Sequence, residues 1–295
     1  MSDPSTIAEP TAVAPAAPGV PRRRRRGSGG RGLVITGAVM LVVMLLVVAL
    51  GPLIAPYPAA QTSPESLAGP SAAHWLGTDS IGRDVLSRMI IGGRSTLLIT
   101  VVAVALALLA GLVLGLLAGY LGGVVDQVIM RVLDVLFAFP AFLLAIAVVA
   151  ALGPTIPNLI LTIAVVYTPR LARVVRGPVL SVKRWDHVEA ARSVGVGEFT
   201  LVRRHVLPMV ISPILVETSL TLSRTIFTVT ALSFLGLGPP PPDPNWGGEL
   251  SSSRQFMELA PMNVIAPAAA IVFATLTFIV LANGLREMLD VTGRR

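Results

Sequence analysis

Apolar residues in this chain come in blocks long enough to cross a lipid bilayer, which takes about 20 residues per helix. A block of that length leaves the backbone one option. Without water its N–H and C=O groups must pair inside the segment, so each block has to be helical. Six blocks can be drawn, at 33–53, 96–120, 132–152, 156–175, 209–234 and 264–285. Hydrophobic residues make up 54% of the 295 and charged residues only 13%, against about 25% charged in an average soluble domain. The expected fold is an all-α membrane protein with six transmembrane helices in one domain over 33–295. The fourth block is the shortest and is bracketed by Pro154, Pro157 and Pro169.

Residues 1–32 read as a separate Pro/Ala-rich tail that ends in five arginines at 22–26. Such a segment cannot bury a core and is expected to be disordered. The arginines resemble a nucleic-acid arm, but the charge is distributed like an orientation signal, so no nucleic-acid partner is expected. Arginines cluster at the ends of apolar blocks, where they set topology and touch anionic lipid heads. With the tail in the cytoplasm, alternation puts Arg170, Arg173, Arg176, Lys183, Arg184, Arg192, Arg203 and Arg204 inside, together with Arg286, Arg294 and Arg295. The other side receives Arg83, Arg88, Arg94 and Arg254. Both termini are therefore expected in the cytoplasm. The first block is too long for a secretory signal, and no good cleavage site follows it.

Several chemistries fall away on residue content. There is no cysteine, hence no disulfide or thiolate site. Lys183 is the only lysine and follows Val182, so no glycine-lysine phosphate loop can form. His74, His187 and His205 are far apart in sequence, and no metal site is expected. No catalytic constellation is found and no cofactor is expected on this chain.

Three polar regions remain as candidates. In the first, 183–193 forms a short helix with a small apolar face, broken by Gly195 and Gly197, and a second helix over 198–205 leads into Leu207 and Pro208. This elbow either seats in a partner's groove, with Glu189 offering a charge, or lies at the membrane interface with no partner. In the second, Glu217, Thr221, Arg224 and Thr228 share one stripe of the fifth span. Charges at that depth line a wet path or pair with a neighbouring helix. In the third, Pro239–Pro242 and Pro244 follow Gly236 and Gly238 and precede Trp246. This loop is an external gate or a rigid connector. Gly111, Gly115, Gly119 and Gly123 recur every four residues and lay bare one face of the second span for helix packing.

The elbow also carries a resemblance. Glu189-Ala190-Ala191, then Gly195, then Leu207-Pro208 is similar to the EAA motif of permease subunits of binding-protein-dependent ABC importers. His205 before Leu207-Pro208 resembles the peptide and nickel branch. So do His74 to Asp79 with Gly82 to Arg88, Gly122-Gly123 through Asp126, Arg131, Asp134 and Phe139-Pro140, Ala231 to Gly238 with Asn245-Trp246-Gly247, and Gly284 to Asp290. Met209 departs from the asparagine common in that branch, and the arginine-rich tail is not a family feature. The resemblance is to the C-type oligopeptide/dipeptide subunit and implies a type I importer fold in a bacterial inner membrane. It further implies two ATPase chains that hold ATP and magnesium and dock on a cytoplasmic loop at 176–208. The remaining implied partners are a second, homologous permease subunit and an extracytoplasmic solute-binding protein. A self-sufficient secondary transporter or channel is the alternative.

Overall fold

The computed structural model describes residues 28–292, all helix and loop apart from the isolated bridges Thr62–Arg83 and Thr78–Asp84. The tail before residue 28, Arg294 and Arg295 lie outside the described residues. The helices are α1 (Ser28–Ile54), α2 (Val85–Leu121), α3 (Gly123–Phe137), α4 (Ala141–Leu152), α5 (Ile156–Val182), α6 (Asp186–Ser193), α7 (Glu198–Leu201), α8 (Leu207–Phe234), α9 (Trp246–Ser253) and α10 (Met262–Thr292). Five stretches are long and apolar enough to cross a membrane, and α3 with α4 make a sixth if counted as one broken span.

The bundle is organised around α2 and α5. A Cβ added at Gly111 would lie 2.7 Å from Leu171 Cβ, one at Gly115 2.6 Å from Val175 Cβ, and one at Gly119 2.9 Å from Val179 Cβ. The partners advance in step, so the two helices run parallel with their backbones almost touching, as small-residue faces allow in lipid. Gly123 does not join this face, since nothing lies within 4 Å of its Cβ position. Instead, Gly122 (φ 70°) and Gly123 (φ 53°) end α2 in a left-handed turn that opens α3. Helices α1 and α10 pack through Gly37 against Leu281 and Gly284 against Val34, in reverse order and hence antiparallel.

Several boundaries differ from those the hydropathy suggests, the last span for one running over Met262–Thr292 rather than 264–285. Helix α2 starts at Val85, not 96, because Asp84 caps it by accepting from the Ser87 N–H at 2.8 Å. Its 37 residues reach about 55 Å at 1.5 Å per residue, more than a bilayer core of about 30 Å. Its polar first turns thus extend past the apolar block. The third span, expected unbroken over 132–152, is bent by 83°. Pro140 supplies no N–H and forces Phe139 out of the helical region, so α3 stops at Phe137. The fourth span is a full helix that runs on to Val182 through Pro169 and Pro178. The elbow expected over 176–208 is therefore shorter, starting at Lys183. Finally, the second elbow helix does not stop before Pro208. Helix α7, a π-helical turn over Val202–Val206 and α8 form one run, with Pro208 just after the π-helical turn.

Residues 55–84 form a folded cap over one end of α2. Ser63 N–H donates to Gly82 O at 2.7 Å, Leu67 N–H to Asp79 O at 3.0 Å, and Asn263 of α10 donates to Thr78 O at 3.0 Å. His74 Nδ1 lies 3.0 Å from an Asp84 carboxylate oxygen, which can only accept, so that nitrogen carries the proton. Arg88 of α2 forms a two-point ion pair with Glu249 of α9 and donates to Ala59 O at 2.8 Å. The elbow sits at the far end of α2, and the start of α1 and the last turns of α10 lie at that same end.

Two outcomes follow. Arg88 and Glu249 side chains are only 4% and 10% exposed, and removing one member of a buried pair costs about 3–5 kcal/mol. Glu249→Ala should lower the thermal unfolding midpoint in detergent by several degrees, whereas Arg254→Ala on the exposed neighbouring turn should leave it in place. On the α2–α5 seam, Gly115→Ala must push apart two backbones and should destabilise by about 1–3 kcal/mol. Gly177→Ala, with open space around its Cβ, should be neutral or stabilising by about 0.5–1 kcal/mol. Denaturation of the two glycine variants side by side checks this.

Candidate functional site

The elbow is anchored from beneath and bare on top. Helix α6 places Asp186 and Glu189 in its first turn and Arg192 in its last, matching the helix dipole at both ends. Its inner face is pinned by Val188, which is fully buried against Val175, Val179 and Val182 of α5, Leu201 of α7, and Val206 and Val210. Ala191 packs at the edge of this cluster. The helix ends where the Val196 N–H reaches back to Ala191 O at 3.2 Å and Gly195 takes φ 83°, a conformation that strains any residue with a side chain. Lys183 Nζ donates to Gly119 O at 2.7 Å and Tyr120 O at 3.1 Å, closing the last carbonyls of α2. Partial burial holds its ammonium below the ordinary lysine value. Tyr120 donates to Glu198, and Arg192 bridges both, its Nη2 3.2 Å from the Tyr120 oxygen and its Nε 3.4 Å from Glu198. The hydrogen bond to Tyr120 raises the Arg192 pKa further.

What the elbow presents outward is Glu189, Ala190 and Gly195, all exposed, flanked by Trp185, Val194 (80% exposed) and Phe199 (79% exposed). Leu207 is half-buried and Pro208 exposed at the start of α8. Bare aromatic and aliphatic side chains beside small residues and a carboxylate make a surface suited to another protein.

The stripe on α8 divides in two. Thr221 is fully buried, with no partner for its hydroxyl. Glu217, Arg224 and Thr228 instead face α5 and meet two residues the sequence pattern did not assign to them. Arg170 Nε donates to Glu217 Oε1 at 2.5 Å, and Arg224 Nη1 donates to the same oxygen at 2.8 Å. Thr228 donates to Arg224 O at 3.1 Å, which leaves the Tyr167 hydroxyl to donate to Thr228 Oγ1 at 2.8 Å. Tyr167, Arg170 and Arg224 line a cavity of about 470 Å3 at the α3–α4 break, with Phe137, Phe139 and Pro140 opposite. Arg170 reads in sequence as one more topogenic arginine. Its spacing of three from Tyr167 on a helix that hydropathy ends near residue 175 was the available signal.

At the cap end, Trp246 is 6% exposed and donates from Nε1 to Met89 O at 2.9 Å. Its ring fills the space a side chain at Gly93 would need. Gly236 is exposed with φ 82°, and Gly238 is buried against Ser233. Between them and Trp246 the prolines border an open hollow of about 360 Å3 with Arg83, Ser252 and Glu249. His187 and His205 approach to 6.5 Å between ring centroids, but among the described residues no three histidine or acidic side chains converge.

The family described as "binding-protein-dependent transport system inner membrane component" matches residues 111–292. A glutathione transport system permease protein, GsiD, from Shigella flexneri is 45% identical over 260 residues, covering 88% of this chain and 86% of the relative. The protein of the same name from Pectobacterium atrosepticum is 43% identical over 222 residues, 75% and 74% of the two chains. Among solved structures, an amino acid ABC transporter has a TM-score of 0.53 at 20% identity, covering 67% of this chain and 92% of the other. An inward-facing methionine ABC transporter, MetNI, has a TM-score of 0.54 at 18% identity, covering 70% and 96%. These two share the fold. On sequence, across nearly two thirds of its length by the family model and more by its relatives, the chain belongs to the binding-protein-dependent transport system inner membrane components.

Proposed function

We propose that the chain is the permease subunit of an ATP-driven importer for peptides or related small solutes, and that it forms half of the translocation pathway. The observation that carries this reading is the elbow. It is bolted to α2, α5 and α8 by buried valines and hydrogen bonds yet offers Glu189, Ala190, Val194, Gly195 and Phe199 to a partner. The similarity to glutathione permeases supports the solute class.

In this reading the elbow end faces the cytoplasm, and both termini lie there. Two separate ATPase chains, which bind ATP and magnesium, grip Glu189, Ala190, Ala191 and Gly195, with Leu207 and Pro208 passing the motion into α8. A second, homologous permease completes the pathway, and an extracytoplasmic solute-binding protein delivers cargo to the cap end. There Gly236 and Gly238 hinge the proline loop and Trp246 anchors its far end, so the loop acts as an external gate. Glu217, Thr221, Arg224 and Thr228 belong to the helix along which solute passes. ATP closure of the neighbours then shifts the bundle between outward and inward access. This chain itself carries no catalytic step and binds no cofactor.

Reconstitution with the candidate ATPases and binding protein in proteoliposomes tests the reading. Uptake should require ATP and all partners. Ala190→Trp, at an exposed position with no folding cost, should cut uptake about tenfold or more while the chain keeps its thermal midpoint, because a bulky ring separates the docking surfaces. Solute movement by the purified chain alone, without an ATPase, would overturn it.

A further inference from the structure

We propose that Arg170 and Arg224 form a carboxylate receptor at mid-membrane, and that Glu217 is its built-in stand-in ligand. The proposal rests on the importer reading above and gives it a chemical selectivity.

The two guanidiniums converge from the middle turns of α5 and α8 on one carboxylate oxygen, Glu217 Oε1. Each spends a single N–H there, out of the five a guanidinium carries. The Glu217 side chain is 12% exposed, while those of Arg170 and Arg224 are 41% and 39% exposed. The acid is thus tucked behind and the cations are left open. They open into the cavity of about 470 Å3 whose other walls are Phe137, Phe139, Pro140 and Tyr167. Two positive charges against one leave the cluster at +1, at a depth where uncompensated charge is costly. A guanidinium with free N–H groups pairs most strongly with a planar carboxylate in a two-point contact. A solute carrying a carboxylate supplies the missing negative charge, and the aromatic rings and proline accommodate its apolar part. When it leaves, Glu217 still holds both arginines, so the site is never emptied to two unpaired cations. The result is preference for solutes with a free carboxylate over the same solutes esterified, built into the permease and independent of the delivering protein.

Equilibrium binding tests this on the assembled permease–ATPase complex in lipid nanodiscs, without nucleotide and without the binding protein. The probes are radiolabelled glutathione and its diethyl ester, which lacks both carboxylates. The wild type should bind the acid saturably and the ester about tenfold or more weaker, the scale of a charge-assisted contact. Arg170→Gln and Arg224→Gln should each weaken acid binding by a similar factor and erase the preference, while Glu217→Gln should tighten it. Equal binding of acid and ester by the wild type, no saturable binding up to millimolar acid, or unchanged binding in both assembled arginine variants overturns the proposal. ATP-dependent uptake by the same wild-type complex with its binding protein is scored separately. Its loss sinks the importer reading, whereas intact uptake with equal acid and ester binding sinks only the receptor.

Discussion

The close approach of α2 and α5 is the contact on which the remaining architecture hangs. In lipid, neighbouring apolar helices gain little by leaving the hydrocarbon, so their association rests on van der Waals fit. The glycines at 111, 115 and 119 supply that fit by removing side chains where Leu171, Val175 and Val179 must enter. Because the pair is parallel, α2 delivers the cap end and α5 the elbow end to fixed positions. Lys183 then ties the tail of α5 to the final carbonyls of α2. The α6 helix has only Val188 fully buried, so without that fixed floor of α5 valines it would have nothing to rest on.

Charge is placed by the same logic. Arg88 with Glu249, Arg176 with Asp126 at 2.5 Å, and Arg170 with Glu217 each join helices distant in sequence, while Arg224 reaches the same Glu217 along α8 itself. Arg173, paired with Asp134 at 2.6 Å, also stacks 3.9 Å over Phe137 at the end of α3. Much of what holds the bent α3 to α5 is ionic, while Val124, Val128, Val132 and Val135 on α3 stay exposed.

Sequence legibility followed the physics of each signal. The spans were readable because a bilayer demands long apolar runs, and the elbow because glycine and proline interrupt them. The extra turns of α2 were hidden because Ser87, Arg88 and Arg94 look like loop residues until the cap is seen to bury the first two. The break in the third span was marked by Pro140, but hydropathy averages over a kink. The stripe on α8 was visible as a period, whereas its partners Tyr167 and Arg170 were not, since no local pattern encodes which helix will face it. Trp246 read equally well as gate or connector, and only its burial against Met89 and Gly93 shows how firmly it is held.

The wide turn at Val202–Val206 has an angular consequence. One surplus residue in a helix advances the azimuth by about 100°, so α7 and α8 share an axis but not a phase. That offset swings Glu198 round to Tyr120 while α8 keeps Glu217 and Arg224 turned toward Arg170. The phase offset between the two ends of this rod is therefore set at those five residues.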